Sequence, residues 1–73
     1  MPQNYQVSKH VNGNYMISSR GHNLLLGPNG YDILGFDADY ATALAMRDAV
    51  LGKLDGLTKG QYRIQGSGAV RVV

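Results

Sequence analysis

The stretch that decides the fold is ADYATALAMRDAVLGKL, Ala38 to Leu54. It is made of strong helix formers and contains no proline, so it reads as one long helix. Asp37 or Asp39 is placed to cap it, because a short carboxylate accepts a hydrogen bond from a backbone N–H that the first turn leaves unpaired. Gly52 and Gly56 mark its end. At 100° per residue, Tyr40, Ala43, Leu44, Val50, Leu51 and Leu54 share one face, with Met46 at its edge. That face is expected to lie across a sheet.

The opposite face is nearly bare. Ala38, Ala41, Ala45, Ala49 and Gly52 line it, and the chain contains no glutamate. Ala41, Ala45 and Ala49 follow i, i+4 spacing and so stack along one surface. Two readings stand side by side. Alanine favours helix wherever it falls, or the smooth stripe admits another backbone and mediates a homodimer or a protein contact. Arg47 projects near the middle of the apolar stripe, where an unpaired buried guanidinium is too costly to persist. Either its stem packs while its head reaches water or an Asp, or the head reaches a partner's carboxylate or phosphate.

Before the helix, the pattern changes to a period of two. Tyr5, Val7 and Val11 alternate with polar residues, and Asn12-Gly13 offers the two positive-φ positions of a type I′ hairpin turn. Tyr15 and Ile17 continue on the return strand, Leu24 to Leu26 form a short buried strand, and Gly27-Pro28-Asn29-Gly30 is a turn by chemistry. Tyr31 to Phe36 reads as the next strand. After the helix, Gln61 to Gln65 alternates as a strand, Gly66-Ser67-Gly68 breaks it, and a final short strand is open to Ala69–Val73. The expected architecture is α+β: an antiparallel meander of three to four strands, one long helix packed on it, and a C-terminal strand returning to the sheet. Residues 1–73 form a single domain.

Size and charge narrow the functional classes. A domain of 73 residues buries little more than roughly 60% of its unfolded surface, and small domains often compensate with disulfides, a metal or a partner subunit. There is no cysteine, and His10 and His22 are too few for a histidine-only site. No cofactor is implied, and a partner subunit is the compensation left. No apolar run approaches the roughly 20 residues that span a bilayer, and the opening MPQNYQVSKH has no stretch of signal-peptide type. A cytoplasmic location without membrane contact is expected. Ser18, Ser19 and Ser67 lie in no nucleophile motif, and Gly66-Ser67-Gly68 leads into no helix that would make it a phosphate loop. No enzymatic activity is expected.

Charge is unevenly placed. Lys9 and Arg20 are the only charges before Asp32, all five acids fall in residues 32–55, and Lys59, Arg63 and Arg71 follow with no acid. The plan of strands, then Leu34-Gly35-Phe36-Asp37 leading into an alanine-rich segment, resembles plant APETALA-type and phage integrase arm-type DNA-binding domains. The resemblance covers about half of the chain and implies a sheet entering the major groove. The Arg/Trp strand pattern of those families is missing, and the chain is assigned to neither.

The expected function is therefore a small non-enzymatic binding or regulatory module. It docks on a protein partner or a second copy through Ala41, Ala45, Ala49 and Arg47. By analogy of size, it suits a phage or mobile-element inhibitor or accessory protein. The alternative is nucleic-acid binding through a mildly basic sheet face carrying Lys9, Arg20, His22, Arg63 and Arg71.

Overall fold

A computed structural model of the chain describes residues 4–65 and 68–72. Its elements are β1 (Tyr5–Lys9), β2 (Tyr15–Ser19), β3 (His22–Leu26), β4 (Ile33–Phe36), α1 (Tyr40–Leu51), β5 (Gly60–Gln65) and β6 (Gly68–Arg71). The strands make one sheet in the order β4-β3-β2-β1-β5-β6, antiparallel at every junction. The fold is thus α+β, with six strands where the alternation pattern suggests a meander of three to four and one return. The difference lies at the short elements. His22 and Asn23 extend β3 because they pair with Ser19 and Ser18, and Gly68–Arg71 pairs with β5 as a sixth strand. The turn expected at Gly66-Ser67 lies outside the described residues.

Alternation decides which side of each strand is buried. Tyr5, Val7, Tyr15, Ile17, Leu24, Leu26, Tyr62 and Ile64 point to one face and form the core with Ala43, Met46, Val50 and Leu54. Register keeps them together: Val7 lies between Ile17 and Tyr62, and Ile17 also faces Leu24. A shift by one residue would turn each set to water. The opposite face carries Gln6, Ser8, Met16, Ser18, Leu25, Gln61 and Arg63.

The first hairpin turns differently from the expectation. Asn12-Gly13 does not supply a two-residue turn; His10 to Asn14 make a wider loop closed by His10 N–H to the Asn14 carbonyl at 3.0 Å, with positive φ at Gly13 alone of that pair. The two-residue turn with φ positive at both centres is Arg20-Gly21, at 54° and 79°. It joins β2 to β3 directly, and Arg20 is the one non-glycine of the described residues in the left-handed region.

The helix is shorter than Ala38–Leu54 suggests. Asp39 is the cap, accepting from the Thr42 N–H at 2.7 Å, so Ala38 and Asp39 stay outside the helix. Beyond Leu51 the chain runs through tight turns that carry Leu54 into the core. The helix is also rolled relative to expectation. Met46 is buried rather than marginal, Leu44 and Leu51 are half-buried, and Tyr40 is exposed. The cause is placement: α1 lies over β2, β3 and β4, so its Tyr40 flank projects at the edge strand, where Tyr40 meets Phe36. Tyr31, expected to open the fourth strand, precedes β4 and is exposed.

The other half of the sheet is covered by the segment between α1 and β5. Tyr15 donates its hydroxyl to the Leu54 carbonyl at 3.1 Å, Lys9 Nζ donates to the Leu57 carbonyl at 3.0 Å, and the Tyr62 and Thr58 hydroxyls are 2.9 Å apart. Gly30 lets the β3–β4 turn close over Leu54: its φ is +73°, and a Cβ there would meet Leu54 Cδ1 at 2.8 Å.

Two outcomes follow from this packing. Ile17→Ala, at a site with no exposed surface, is expected to lower unfolding free energy by about 2–5 kcal/mol in urea titration. Arg20→Asn, which suits a left-handed position better, is expected to raise it by a fraction of roughly 1 kcal/mol; a loss of stability would show that the arginine side chain holds the turn.

Candidate functional site

Ala41, Ala45 and Ala49 are all exposed, on the side of α1 turned away from the sheet. Arg47 is not with them. Its side chain is only 14% exposed, with Nη2 2.9 Å and Nε 3.0 Å from Asp48 Oδ1. Its guanidinium carbon also stands 4.4 Å from the centre of the Tyr31 ring. Hydrogen bonding to Asp48 raises the Arg47 pKa above its ordinary value, against a smaller opposing effect of burial. The arginine holds the β3–β4 turn against the helix, and its groups are committed within the molecule.

The basic residues do not share one face. Lys9 and Arg71 project on the helix side, over the Tyr15 and Tyr62 rings at 5.0 Å and 5.9 Å. Arg63, in register with Gln6, lies on the opposite face. Arg20 sits at the tip of a turn, and His22 Nδ1 is 3.9 Å from Asp37. The aromatic residues are equally telling. Tyr5, Tyr15 and Tyr62 are in the core, and Phe36 and Tyr40 meet at the β4 edge. Among the described residues, the one ring that borders the helix-free sheet face is Phe36, at the β4 edge and away from Arg63.

The Ser18 hydroxyl donates to Asn23 Oδ1 at 2.7 Å and that of Ser19 to the Asn4 carbonyl at 3.1 Å; Ser67 lies outside the described residues. No group of three His, Cys, Asp or Glu side chains suited to a metal occurs among the described residues. Among the described residues, no helix is long and apolar enough to cross a membrane.

What the structure does bring together is an apolar corner. Phe36 and Tyr40 are 46% and 57% exposed, with ring centroids 5.9 Å apart and planes tilted by 54°. Leu34 beside them on β4 is 55% exposed. Ala41 follows Tyr40, and Leu44 lies one turn on, half-buried. A depression of about 150 Å³ between Met16, Leu25, Gly35 and Phe36 continues the apolar surface around the edge. Asp37 and Asp39, next to Phe36 and Tyr40 in the chain, rim this corner. The signal missed in the sequence is the break in alternation at Ile33–Phe36, where the register shifts and a bulge turns residues outward.

The rim also fixes the corner. Asp37 accepts from the Asn23 N–H at 2.7 Å and from Asn23 Nδ2 at 3.1 Å, tying β4 to β3. The backbone bond from Asn23 is the main reason its pKa lies below the ordinary carboxylate value, with Asn23's side chain and His22 adding to it and burial opposing. Asp39 is lowered by hydrogen bonding from the Thr42 side chain and then its N–H. A carboxylate depressed by folding contributes stability above its unfolded pKa and loses it as pH falls through the folded one. The melting temperature is therefore expected to hold from neutral pH to about 5 and to fall below about 4. Asp39→Asn, which keeps a capping oxygen but cannot ionise, is expected to flatten part of that fall; an identical acid slope would remove the cap from the cause.

No family model matches the chain, and comparison with curated proteins and with solved structures finds no match either.

Proposed function

We propose that this chain is a small non-catalytic protein-binding module, of the regulatory or accessory kind, that docks through Phe36, Tyr40 and the adjoining Ala41–Ala45 flank of α1. The supporting observation is the exposed Phe36–Tyr40 ring pair beside a stripe of small side chains. Aromatic rings give large contact area for little loss of side-chain freedom, and such anchors dominate binding energy when a partner covers them. Alanines next to them let a partner's backbone approach closely. The carboxylates of Asp37 and Asp39 beside the rings favour a partner surface with basic groups at its rim. They disfavour a phosphate backbone at the same place.

The relation to the expected site is partial. The alanine stripe stays in the surface, Arg47 leaves it because Asp48 and Tyr31 occupy its head, and Phe36 and Tyr40 enter it as anchors.

The test is affinity capture from host lysate, with and without nuclease, comparing the native chain with Tyr40→Ala and Ala45→Glu after circular dichroism has confirmed their fold. The same protein is expected in both nuclease arms, with recovery falling by about tenfold or more for Tyr40→Ala, as for a hot-spot anchor. Capture that is indifferent to both substitutions would refute the proposal. Capture abolished by nuclease would favour the nucleic-acid alternative instead.

A further inference from the structure

We propose that a cleft at one end of the sheet, between the last residues of β1 and the first of β5, binds the phosphate group of a small phosphorylated ligand. The cleft forms where two paired strands part. Ser8 faces Gln61 and Lys9 faces Gly60 at the end of the β1–β5 ladder. Beyond them β1 turns away into the His10–Asn14 loop, which its own backbone hydrogen bonds close, and β5 is entered from Lys59. The space left between the two segments is about 330 Å³, lined by Ser8, His10 and Val11 on one side and by Lys59 and Gln61 on the other. That volume is at the lower end of those that take small ligands.

Charge selects an anion. Lys9 and Lys59 both line the cleft, and no carboxylate does. The cause lies in the sequence: the chain has no acid before Asp32 and none after Asp55, so pairing β1 with β5 sets two acid-free segments side by side. Lys9 donates one N–H to the Leu57 carbonyl, which fixes its charge beside the cleft and leaves two more to give. A lysine ammonium is a compact charge well suited to phosphate.

The remaining donors have no task within the molecule. Among the described residues, the side chains of Ser8, His10, Lys59 and Gln61 have no hydrogen-bond or ion-pair partner. Elsewhere on the surface, Ser18, Asn23, Asn29, Asp37 and Arg47 are all engaged. A hydroxyl, an imidazole N–H, an amide and two ammonium groups offer more donors than the two oxygens of a carboxylate can serve. A phosphate monoester brings three acceptor oxygens and a charge of about −1.5 to −2 near neutral pH, which two lysines balance. Val11, 85% exposed at the rim, gives an apolar contact to the group that carries the phosphate. Since β2 and β3 lie between β1 and β4, this site is separate from the Phe36–Tyr40 corner and does not depend on docking there.

Titration of the ¹⁵N-labelled chain with phenyl phosphate, in low-salt buffer free of other phosphate, tests the proposal. Amide shifts are expected to concentrate at residues 8–11 and 59–61, with a dissociation constant of about 1 mM or below. Inorganic phosphate is expected to move the same amides at several-fold weaker affinity, having no group to rest on Val11. Lys59→Gln is expected to weaken phenyl phosphate by about tenfold, as loss of a charged hydrogen bond does. Arg20→Asn, which removes the same charge at the opposite end of the sheet, is expected to leave binding unchanged. Absence of binding, or shifts scattered over the surface, overturns the proposal. So does an equal loss in both variants, which would reduce the effect to net charge, and so does equal affinity for inorganic phosphate. A short thymidine oligonucleotide that binds more tightly than phenyl phosphate, with shifts spreading to Arg63, would give the cleft to nucleic acid and overturn it as a small-ligand site.

Discussion

The constraint on which this structure depends is one of width. An α-helix with its side chains is about 10–12 Å across, while six strands at about 4.8 Å spacing span roughly 24 Å. One helix covers about half of such a sheet. Here α1 takes the β2–β3–β4 half, and Ala43, Met46 and Val50 close the core beneath it. The rest must be covered by a connection, and a connection has backbone groups that need partners. That requirement accounts for the use of tyrosine in the core. Tyr15 and Tyr62 fill apolar space under the segment after α1 and offer a hydroxyl to it, while Lys9 donates to the Leu57 carbonyl. Phenylalanine would fill the same space and leave the connection unheld.

The same mismatch shapes the surface. A helix laid over one side of the sheet brings its flank to the β4 edge, and the residues there cannot all be buried. Tyr40 and Phe36 lean on each other in the open. Arg47 is drawn inward to hold Tyr31 and Asp48, which secures the turn that closes over Leu54 through Gly30. Exposure at the corner and order beside it thus have one cause. A chain with no cysteine and a small core gains by covering such a corner with another protein, and the proposed role uses that surface.

Acid residues do two jobs near this corner. Asp37 ties β4 to β3, and Asp39 caps α1. Each also leaves negative charge facing water beside an apolar patch. The tail of the chain carries the opposite sign on the far edge of the sheet. Since sheet order sets β4 and β6 as far apart as the sheet allows, the block pattern of charge along the sequence becomes a polarity across the molecule.

The sequence by itself determined the local elements and the faces they bury. Period-two alternation in Tyr5–Lys9, Tyr15–Ser19 and Gly60–Gln65, the capping carboxylate before an alanine-rich run, and the exposed stripe Ala41-Ala45-Ala49 were all legible, because each depends on neighbours within a turn or two. Tertiary structure alone decided the number and order of strands, the insertion of β1 between β2 and β5, and the roll of α1 that buried Met46 and released Tyr40. It also placed the two-residue turn at Arg20-Gly21 and set the Arg47 head between Asp48 and Tyr31. Those features rest on contacts between residues far apart in the chain. Periodicity tells which side of an element is apolar, but where one helix comes to rest on a sheet twice its width is settled only when all the elements compete for the same core.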